Sequence, residues 1–259
     1  MAEIITFINE KGGVGKTSGC FNAAWELSKR NKKILMIDMD GQKANLTFFT
    51  GADNLIDDMK TMADVFKGEV SAADIIFNVK ENLDIIPANA SMSNLGMEAK
   101  VVKFRKSLSE LSPAYDYIFI DVNPAPGWSH YLSLSVSDYA VIVMLPDVAS
   151  LEGNKGILET IEEIQGTNNP ELKIMGFLFN KNNSRTVLAK QVTEAAEDMA
   201  AQAGTSLFNT KIRNAVVLSE NVLSHTGVTD YAPSSTAAED FSALADEIER
   251  RSAYVGKEA

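Results

Sequence analysis

The chain has 259 residues, of which 45% are hydrophobic and 23% are charged, and its formal net charge is -11. This composition fits one sizeable α/β domain and excludes a largely disordered chain. The single cysteine, Cys20, excludes a disulfide framework, an iron–sulfur cluster and a cysteine zinc site within one chain. We expect the two histidines, His130 and His225, to be surface or loop residues because no ligand spacing surrounds them.

Short apolar runs alternate with helical patterns along the chain. The runs are rich in β-branched residues and apolar on both faces, which is typical of strands buried beneath helices on both sides. They predict strands at residues 4–8, 34–37, 83–86, 117–120, 140–145 and 174–179. Apolar residues at helical spacing predict helices at residues 17–30, 151–165, 186–203 and 237–253. The alternation predicts an α/β fold with a single doubly wound, mostly parallel sheet flanked by helices, in one domain spanning residues 1–259.

A glycine-rich segment joins the first predicted strand to the first predicted helix. It consists of Lys11, Gly12, Gly13, Val14, Gly15, Lys16 and Thr17, with Ser18 next. Glycines let backbone N–H groups converge on phosphate oxygens, and the start of a helix adds the positive end of its dipole. Lys16 can neutralise the β- and γ-phosphates, and the Thr17 hydroxyl can bind Mg²⁺. The segment is a variant P-loop, because Glu10 stands where the general pattern has its first glycine. It predicts binding of ATP with Mg²⁺.

The second lysine of this segment makes the pattern more specific. Lys-Gly-Gly-Val-Gly-Lys-Thr resembles the deviant Walker A motif of the ParA/MinD family of ATPases, which have the P-loop NTPase fold. Resemblance to ParA-type partition ATPases, the group that includes Soj, continues along nearly the whole chain. In that family the first lysine reaches across a dimer interface to the nucleotide of the partner subunit. The resemblance implies the same role for Lys11, and a homodimer in the ATP state.

Carboxylates end two of the predicted strands, at Asp38 and Asp40 and at Asp121. Carboxylates at strand ends near a phosphate site can hold Mg²⁺ or orient the attacking water. By resemblance, the catalytic residues of a weak ATPase are Lys11, Lys16 and Asp40, and the metal residues are Thr17, Asp38 and Asp121. The chain departs from the family pattern at Gly41 and Asn123, where the family has proline.

Two later segments resemble the part of the family that contacts the base. Asn180 ends the last predicted strand, and the matching family asparagine recognises adenine through both its donor and its acceptor. The family segment Ile-Pro-Arg-Asn-x-x-Leu-Ser-Glu is matched with a shift of one residue, so either Arg213 or Asn214 is assigned to the base. The family arginine just before Leu-Ser-Glu is Val217 in this chain.

The resemblance also implies macromolecular partners. ParA proteins bind DNA without sequence specificity as ATP-bound dimers and release it after hydrolysis, which a ParB-like activating protein stimulates. Such binding needs lysines and arginines on one face. The candidates are Lys181, Arg185, Lys190, Lys211, Arg250 and Arg251. The net charge of -11 and the replacement by Val217 weaken this prediction, because the whole molecule does not attract DNA at long range.

Other roles stay open from the sequence. One is a nucleotide-gated scaffold that positions a protein cargo, and another is a MinD-like spatial regulator, both without DNA binding. We expect no membrane binding, because the apolar face of the last predicted helix is spent on the core and the final residues offer no insertion face. No signal-peptide pattern and no long apolar run is present, which predicts a cytoplasmic protein, associated with the nucleoid if it binds DNA.

Overall fold

The computed structural model describes residues 1–54, 60–94, 98–182 and 187–255. Within them, seven strands form one sheet in the order β3-β4-β2-β5-β1-β6-β7. The strands are β1 (Glu3–Ile8), β2 (Ile34–Asp38), β3 (Phe77–Lys80), β4 (Leu83–Ile86), β5 (Tyr117–Asp121), β6 (Tyr139–Met144) and β7 (Lys173–Phe179). Every neighbouring pair is parallel except β3 and β4, which are antiparallel. The predicted mostly parallel sheet is confirmed.

Ten α-helices lie in the same described ranges. They are α1 (Lys16–Lys29), α2 (Asn45–Phe49), α3 (Met62–Lys67), α4 (Glu98–Leu111), α5 (Trp128–Val136), α6 (Val148–Thr167), α7 (Val187–Gln202), α8 (Val217–Leu223), α9 (Val228–Tyr231) and α10 (Thr236–Val255). The four predicted helices correspond to α1, α6, α7 and α10. None of these helices is both long and apolar enough to cross a membrane within the described ranges.

The sheet is buried on both faces, as strands connected by helical crossovers require. Alternate residues of β5 belong to different apolar clusters: Ile118 and Ile120 pack on one side, and Tyr117 and Phe119 on the other. The first cluster includes residues of α4, α6 and α7, whereas the second includes residues of α1 and α10. The predicted doubly wound arrangement follows from this division.

The parallel register brings the predicted site residues to one edge of the sheet. Asp121 is in register with Phe7 of β1 and with Asp38 of β2. The segments that follow β1, β2, β5 and β7 therefore leave the sheet side by side, at the carboxyl ends of their strands. This is the edge where open α/β sheets bind ligands.

Candidate functional site

The loop after β1 forms one wall of a cleft at this edge. Gly13 and Gly15 have φ of 75° and 95°, a region that glycine adopts without steric cost. Gly15 directly precedes α1, so the first backbone N–H groups of that helix have no partner within it. The cleft has a volume of about 310 Å³. Its lining includes Gly12, Gly13, Gly15, Lys16, Thr17, Ser18, Asp40, Lys43, Phe49, Pro124, Asn180, Lys181 and Asn214.

Lys16, Thr17 and Asp121 meet at the base of the cleft. The Thr17 hydroxyl donates to Asp121 Oδ2 at 2.6 Å, and Lys16 is only 6% exposed. Burial lowers the pKa of Lys16, although Asp121 and Asp40 act in the opposite direction. Burial and the neighbouring Asp38 raise the pKa of Asp121 to about 8. The buried oxygen Oδ1 of Asp121 has no hydrogen-bond partner.

That unpaired oxygen and the Thr17 hydroxyl fit a hard divalent cation. Mg²⁺ keeps several waters and is bound by one or two protein oxygens together with substrate phosphates. No group of three histidine, cysteine or acidic side chains suited to a metal occurs among the residues that the structure describes. A site built from one carboxylate and one hydroxyl therefore matches Mg²⁺ completed by a nucleotide, and does not match a protein-only metal cage.

Asp38 and Asp40 lie in different surroundings and make different contacts. Asp38 is fully buried, and it accepts hydrogen bonds from the Asp40 N–H at 2.9 Å and from the Thr47 N–H and hydroxyl at 2.9 and 2.8 Å. Burial raises the pKa of Asp38 to about 6. Asp40 lines the cleft, and its carboxylate accepts hydrogen bonds on Oδ1 from the N–H groups of Gln42 and Lys43. Asp38 thus fixes the backbone that presents Asp40 to the cleft.

Lys11 points away from the cleft of its own chain. Its Nζ forms an ion pair with Asp147 Oδ2 at 2.9 Å, and the two side chains are 37% and 41% exposed. The same Asp147 caps α6 by accepting a hydrogen bond from the Ser150 N–H at 2.7 Å. Burial alone would raise the pKa of Asp147, but the hydrogen bonds from Lys11 and Ser150 outweigh it and lower that pKa.

Asn180 and Lys181 follow β7 and contact the glycine-rich loop. Asn180 Nδ2 donates to the Val14 carbonyl at 2.7 Å, and Asn180 Oδ1 accepts from the Lys181 N–H at 2.8 Å. Lys181 Nζ donates to the Gly13 carbonyl at 2.9 Å. A Cβ on Gly15 would lie 1.8 Å from Asn180 Nδ2, so this approach requires glycine. Asn180, predicted to read adenine, thus uses both polar atoms of its side-chain amide on the backbone.

Arg213 and Asn214, the two alternatives for the base, lie in different surroundings. The Arg213 guanidinium pairs with Asp240 at 2.7 Å and with Glu239 at 3.1 Å, so its side chain packs against α10. The hydrogen bond with Asp240 raises the pKa of Arg213. Asn214 lines the cleft together with Leu218. Of the two alternatives, Asn214 lies at the cleft, whereas Arg213 is held by Asp240 of α10.

The predicted DNA-binding residues do not share one environment. Lys181 lines the cleft. Arg251 is engaged with Glu247 at 2.9 Å and with the carbonyls of Met175 and Leu207. Lys211 Nζ lies 5.4 Å from the centre of the Phe179 ring. Lys190 and Arg250 are exposed, and Arg185 lies outside the described residues.

His130 corrects an expectation from the sequence. It is 2% exposed within α5, not at the surface or in a loop, and its Nε2 lies 2.8 Å from the Asn123 carbonyl. Because a carbonyl only accepts, Nε2 carries the proton. Burial lowers the pKa of His130, which favours this neutral form. With the Ser129 hydroxyl, which donates to Asn123 Oδ1 at 3.0 Å, it fixes the loop after Asp121. No sequence pattern around His130 marks this role.

Comparison with known proteins identifies the family. The model of the AAA domain family matches residues 2–174. The sporulation initiation inhibitor protein Soj of Bacillus subtilis is 32% identical over 254 residues, which cover 96% of this chain and 98% of Soj. The chain belongs to the ParA/MinD family of P-loop ATPases. The predicted family resemblance is confirmed.

Solved structures share the fold of this chain. The apo McdA structure from Cyanothece superimposes with a TM-score of 0.85 at 20% identity, covering 96% of this chain and 100% of McdA. The septum site-determining protein MinD of Pyrococcus horikoshii OT3, complexed with Mg-ADP, gives a TM-score of 0.78 at 24% identity, covering 96% of each chain. At these identities the likeness concerns the fold alone.

Proposed function

We propose that this ParA/MinD-family chain binds ATP with Mg²⁺ in the cleft and hydrolyses the ATP slowly. The observation that carries the proposal is the group of Lys16, Thr17 and Asp121, because a buried cation lies beside an unpaired carboxylate oxygen and a hydroxyl. Bound Mg²⁺ would neutralise charge on the phosphates. Thr17 and Asp121 would hold it, and Asp38 would support them from behind the cleft.

Asp40 is the proposed residue for orienting the attacking water. Its backbone is fixed by Asp38, and its carboxylate faces the cleft. Lys16 would hold the β- and γ-phosphates, and the N–H groups at Gly12, Gly13, Val14, Gly15 and Ser18 would complete the phosphate cradle. For the base, Asn214 is the favoured contact of the cleft wall.

We further infer that ATP drives the formation of a sandwich homodimer in which Lys11 reaches the nucleotide of the partner subunit. Lys11 does not line the cleft of its own chain, and the exposed ion pair that holds it is of a kind worth only about 0–1 kcal/mol. Such a contact can be exchanged for a nucleotide phosphate at low cost.

The proposed task of this dimer is to bind duplex DNA without sequence specificity and to position plasmid or chromosomal DNA. A ParB-like protein would stimulate hydrolysis and so release the dimer, which would act in the cytoplasm on the nucleoid. Lys190 and Arg250 are exposed candidates, and Lys211 is half-buried with its Nζ beside the Phe179 ring. A dimer would present each of these cationic side chains twice. This helps DNA binding because the affinity grows with the number of phosphates contacted.

A positioning scaffold for a protein cargo is the second candidate. Two observations favour it: the net charge of -11, and the use of Arg213 and Arg251 in contacts within the chain. A mobility-shift assay with plain duplex DNA at low salt separates the two functions. ATP-dependent binding of DNA that is weakened by Arg250→Glu supports DNA positioning. If the protein binds no DNA with any nucleotide, the DNA-positioning function is wrong and the scaffold is favoured.

The proposed hydrolysis of ATP is tested by measuring phosphate release. Phosphate release should require Mg²⁺ and should be abolished by Lys16→Ala, because no other described lysine is buried at the base of the cleft. An Asp40→Ala variant should retain ATP binding and lose turnover. Equal turnover by Lys16→Ala and the wild type would refute the proposed site.

A further inference from the structure

We propose that Lys181 is a positioning residue of the phosphate loop, the segment from Lys11 to Thr17, and not a DNA contact. Lys181 Nζ donates to the Gly13 carbonyl at 2.9 Å, and the adjacent Asn180 Nδ2 donates to the Val14 carbonyl at 2.7 Å. Two consecutive side chains at the end of β7 therefore hold two consecutive carbonyls of the phosphate loop.

Holding these carbonyls also sets the direction of two N–H groups. In a trans peptide the C=O and the following N–H lie on opposite edges of one plane, and the described residues include no cis peptide bond. Fixing the Gly13 carbonyl therefore fixes the Val14 N–H, and fixing the Val14 carbonyl fixes the Gly15 N–H. With the carbonyls turned towards β7, these two donors face the other way and are available to an anion.

The backbone at Lys181 is shaped for this contact. Its φ of 51° lies in the left-handed region, which is uncommon for a residue other than glycine and persists only where the surroundings stabilise it. The stabilising contact is the hydrogen bond from the Lys181 N–H to Asn180 Oδ1 at 2.8 Å. This turn directs the lysine side chain back over the glycines instead of outwards from the end of β7.

The charge of Lys181 also belongs to the cleft. The residue lines the cleft together with Lys16 and Lys43, so its ammonium contributes to the potential where phosphates are proposed to bind. An ammonium occupied by the Gly13 carbonyl has less freedom to contact DNA outside the cleft. Glycines restrict the backbone little. The contacts from Asn180 and Lys181, which follow β7, therefore add rigidity to the phosphate loop.

The inference rests on the proposed binding of ATP, and its test uses the full chain. Lys181→Met removes the donor and keeps the length of the side chain, whereas Lys181→Arg keeps a donor. Lys173→Met is the matched control, because it removes an exposed lysine from the other end of the same strand. The affinity for ATP is measured by titration calorimetry, the melting temperature is recorded for each variant, and DNA binding is measured at saturating ATP over a series of salt concentrations.

We expect Lys181→Met to weaken ATP binding by about tenfold, the effect of losing one charge-assisted hydrogen bond. Lys181→Arg should recover most of that loss, Lys173→Met should bind like the wild type, and the melting temperatures should agree. The salt dependence of DNA binding should stay unchanged, since no phosphate contact is lost.

Wild-type ATP affinity in Lys181→Met would overturn the inference, and a reduced salt dependence in the same variant would return Lys181 to the DNA-binding face. A lower melting temperature with no rescue by Lys181→Arg would reduce the residue to a purely structural one. If the wild type itself bound no ATP, the proposed function would fail first, and the inference would fall with it.

Discussion

At the scale of single residues, the site depends on close backbone approaches that only glycine permits. Gly15 combines a φ of 95° with a position where a Cβ would meet Asn180 Nδ2 at 1.8 Å. Either feature alone would strain an alanine, and together they also threaten the hydrogen bond from Asn180 to the Val14 carbonyl. The residue therefore couples the shape of the phosphate loop to the end of β7.

Gly15→Ala should lower the free energy of unfolding by about 1–3 kcal/mol, because the left-handed backbone and the clash both add strain. The double variant Gly15→Ala/Asn180→Ala should lose less stability than the two single variants together, since removing the Asn180 side chain removes the clash. Gly153→Ala is the control, because a Cβ there meets nothing within 4 Å inside α6. Urea unfolding is measured for the wild type and the four variants, and strict additivity of the two single changes would contradict the coupling.

His130 gives the protein a pH-dependent stability. Its pKa is lowered from the ordinary 6.5 by burial, so the unfolded chain takes up a proton at a higher pH than the folded chain. The stability it contributes is therefore complete above pH ~6.5 and is lost as the pH falls below that value. Lys16, which lies near enough to act on it, strengthens this preference for the neutral ring, and the Asn123 carbonyl opposes it.

His130→Gln should remove part of this acid sensitivity, because the glutamine amide can still donate to the Asn123 carbonyl and does not titrate. The free energy of unfolding is measured in urea at pH 7.5 and pH 5.5 for both proteins. The drop between the two pH values should be smaller in the variant. An equal drop would show that His130 does not contribute to it.

At the scale of elements, the start of α6 has two tasks that meet at Asp147. The carboxylate caps the helix through the Ser150 N–H and holds Lys11 through an ion pair. In the proposed dimer Lys11 must leave Asp147 to reach the partner's nucleotide. The helix cap and the release of Lys11 can be separated by choosing the substituent, because asparagine also caps helices well.

Asp147→Asn should favour the ATP-dependent dimer by about 0.2–1 kcal/mol for each protomer, because the ion pair no longer competes for Lys11. Its stability should stay near that of the wild type, whereas Asp147→Ala should lose about 1 kcal/mol with the cap. The dimer dissociation constant is measured at saturating ATP, and stability by thermal unfolding. A weaker dimer in Asp147→Asn would contradict competition for Lys11.

The elements also explain how far the sequence could predict the structure. The six predicted strands were recognisable because burial on both faces demands continuous apolar runs. β3 was missed because it is a short, half-exposed edge strand whose antiparallel pairing leaves no such run. In α5, Ser129, Ser133 and Ser135 are all buried, so no polar face marks the helix in the sequence.

The sequence could assign to the cleft the glycine-rich loop, Thr17, Asp40 and Asp121. Each lies at the end of a predicted strand or directly after it, and this position can be recognised from neighbouring residues. The contact between Asn180 and Val14 joins residues 166 positions apart, and the ion pair of Arg213 with Asp240 joins two separate segments. Such pairings depend on how elements pack, so the roles of Asn180, Lys181 and Arg213 could not be read from neighbouring residues.

At the scale of the whole molecule, the proposed mechanism is a switch between monomer and dimer. All groups proposed for binding and hydrolysis of ATP come from one chain except the Lys11 ammonium, which is paired with Asp147 instead of lying in its own cleft. The proposed dimer therefore adds a cation to each nucleotide. Formation of the dimer should depend on the γ-phosphate. Two ATP molecules at one interface bring strong negative charge, and the Lys11 ammonium groups offset it.

Sedimentation velocity with and without nucleotide measures the proposed switch directly. With Mg²⁺ and a non-hydrolysable ATP analogue the wild type should sediment as a dimer, and with ADP or without nucleotide as a monomer. Lys11→Ala should bind the analogue and remain a monomer. A Lys11→Ala protein that dimerises like the wild type, or a wild type that stays monomeric at saturating analogue, would contradict the proposed switch.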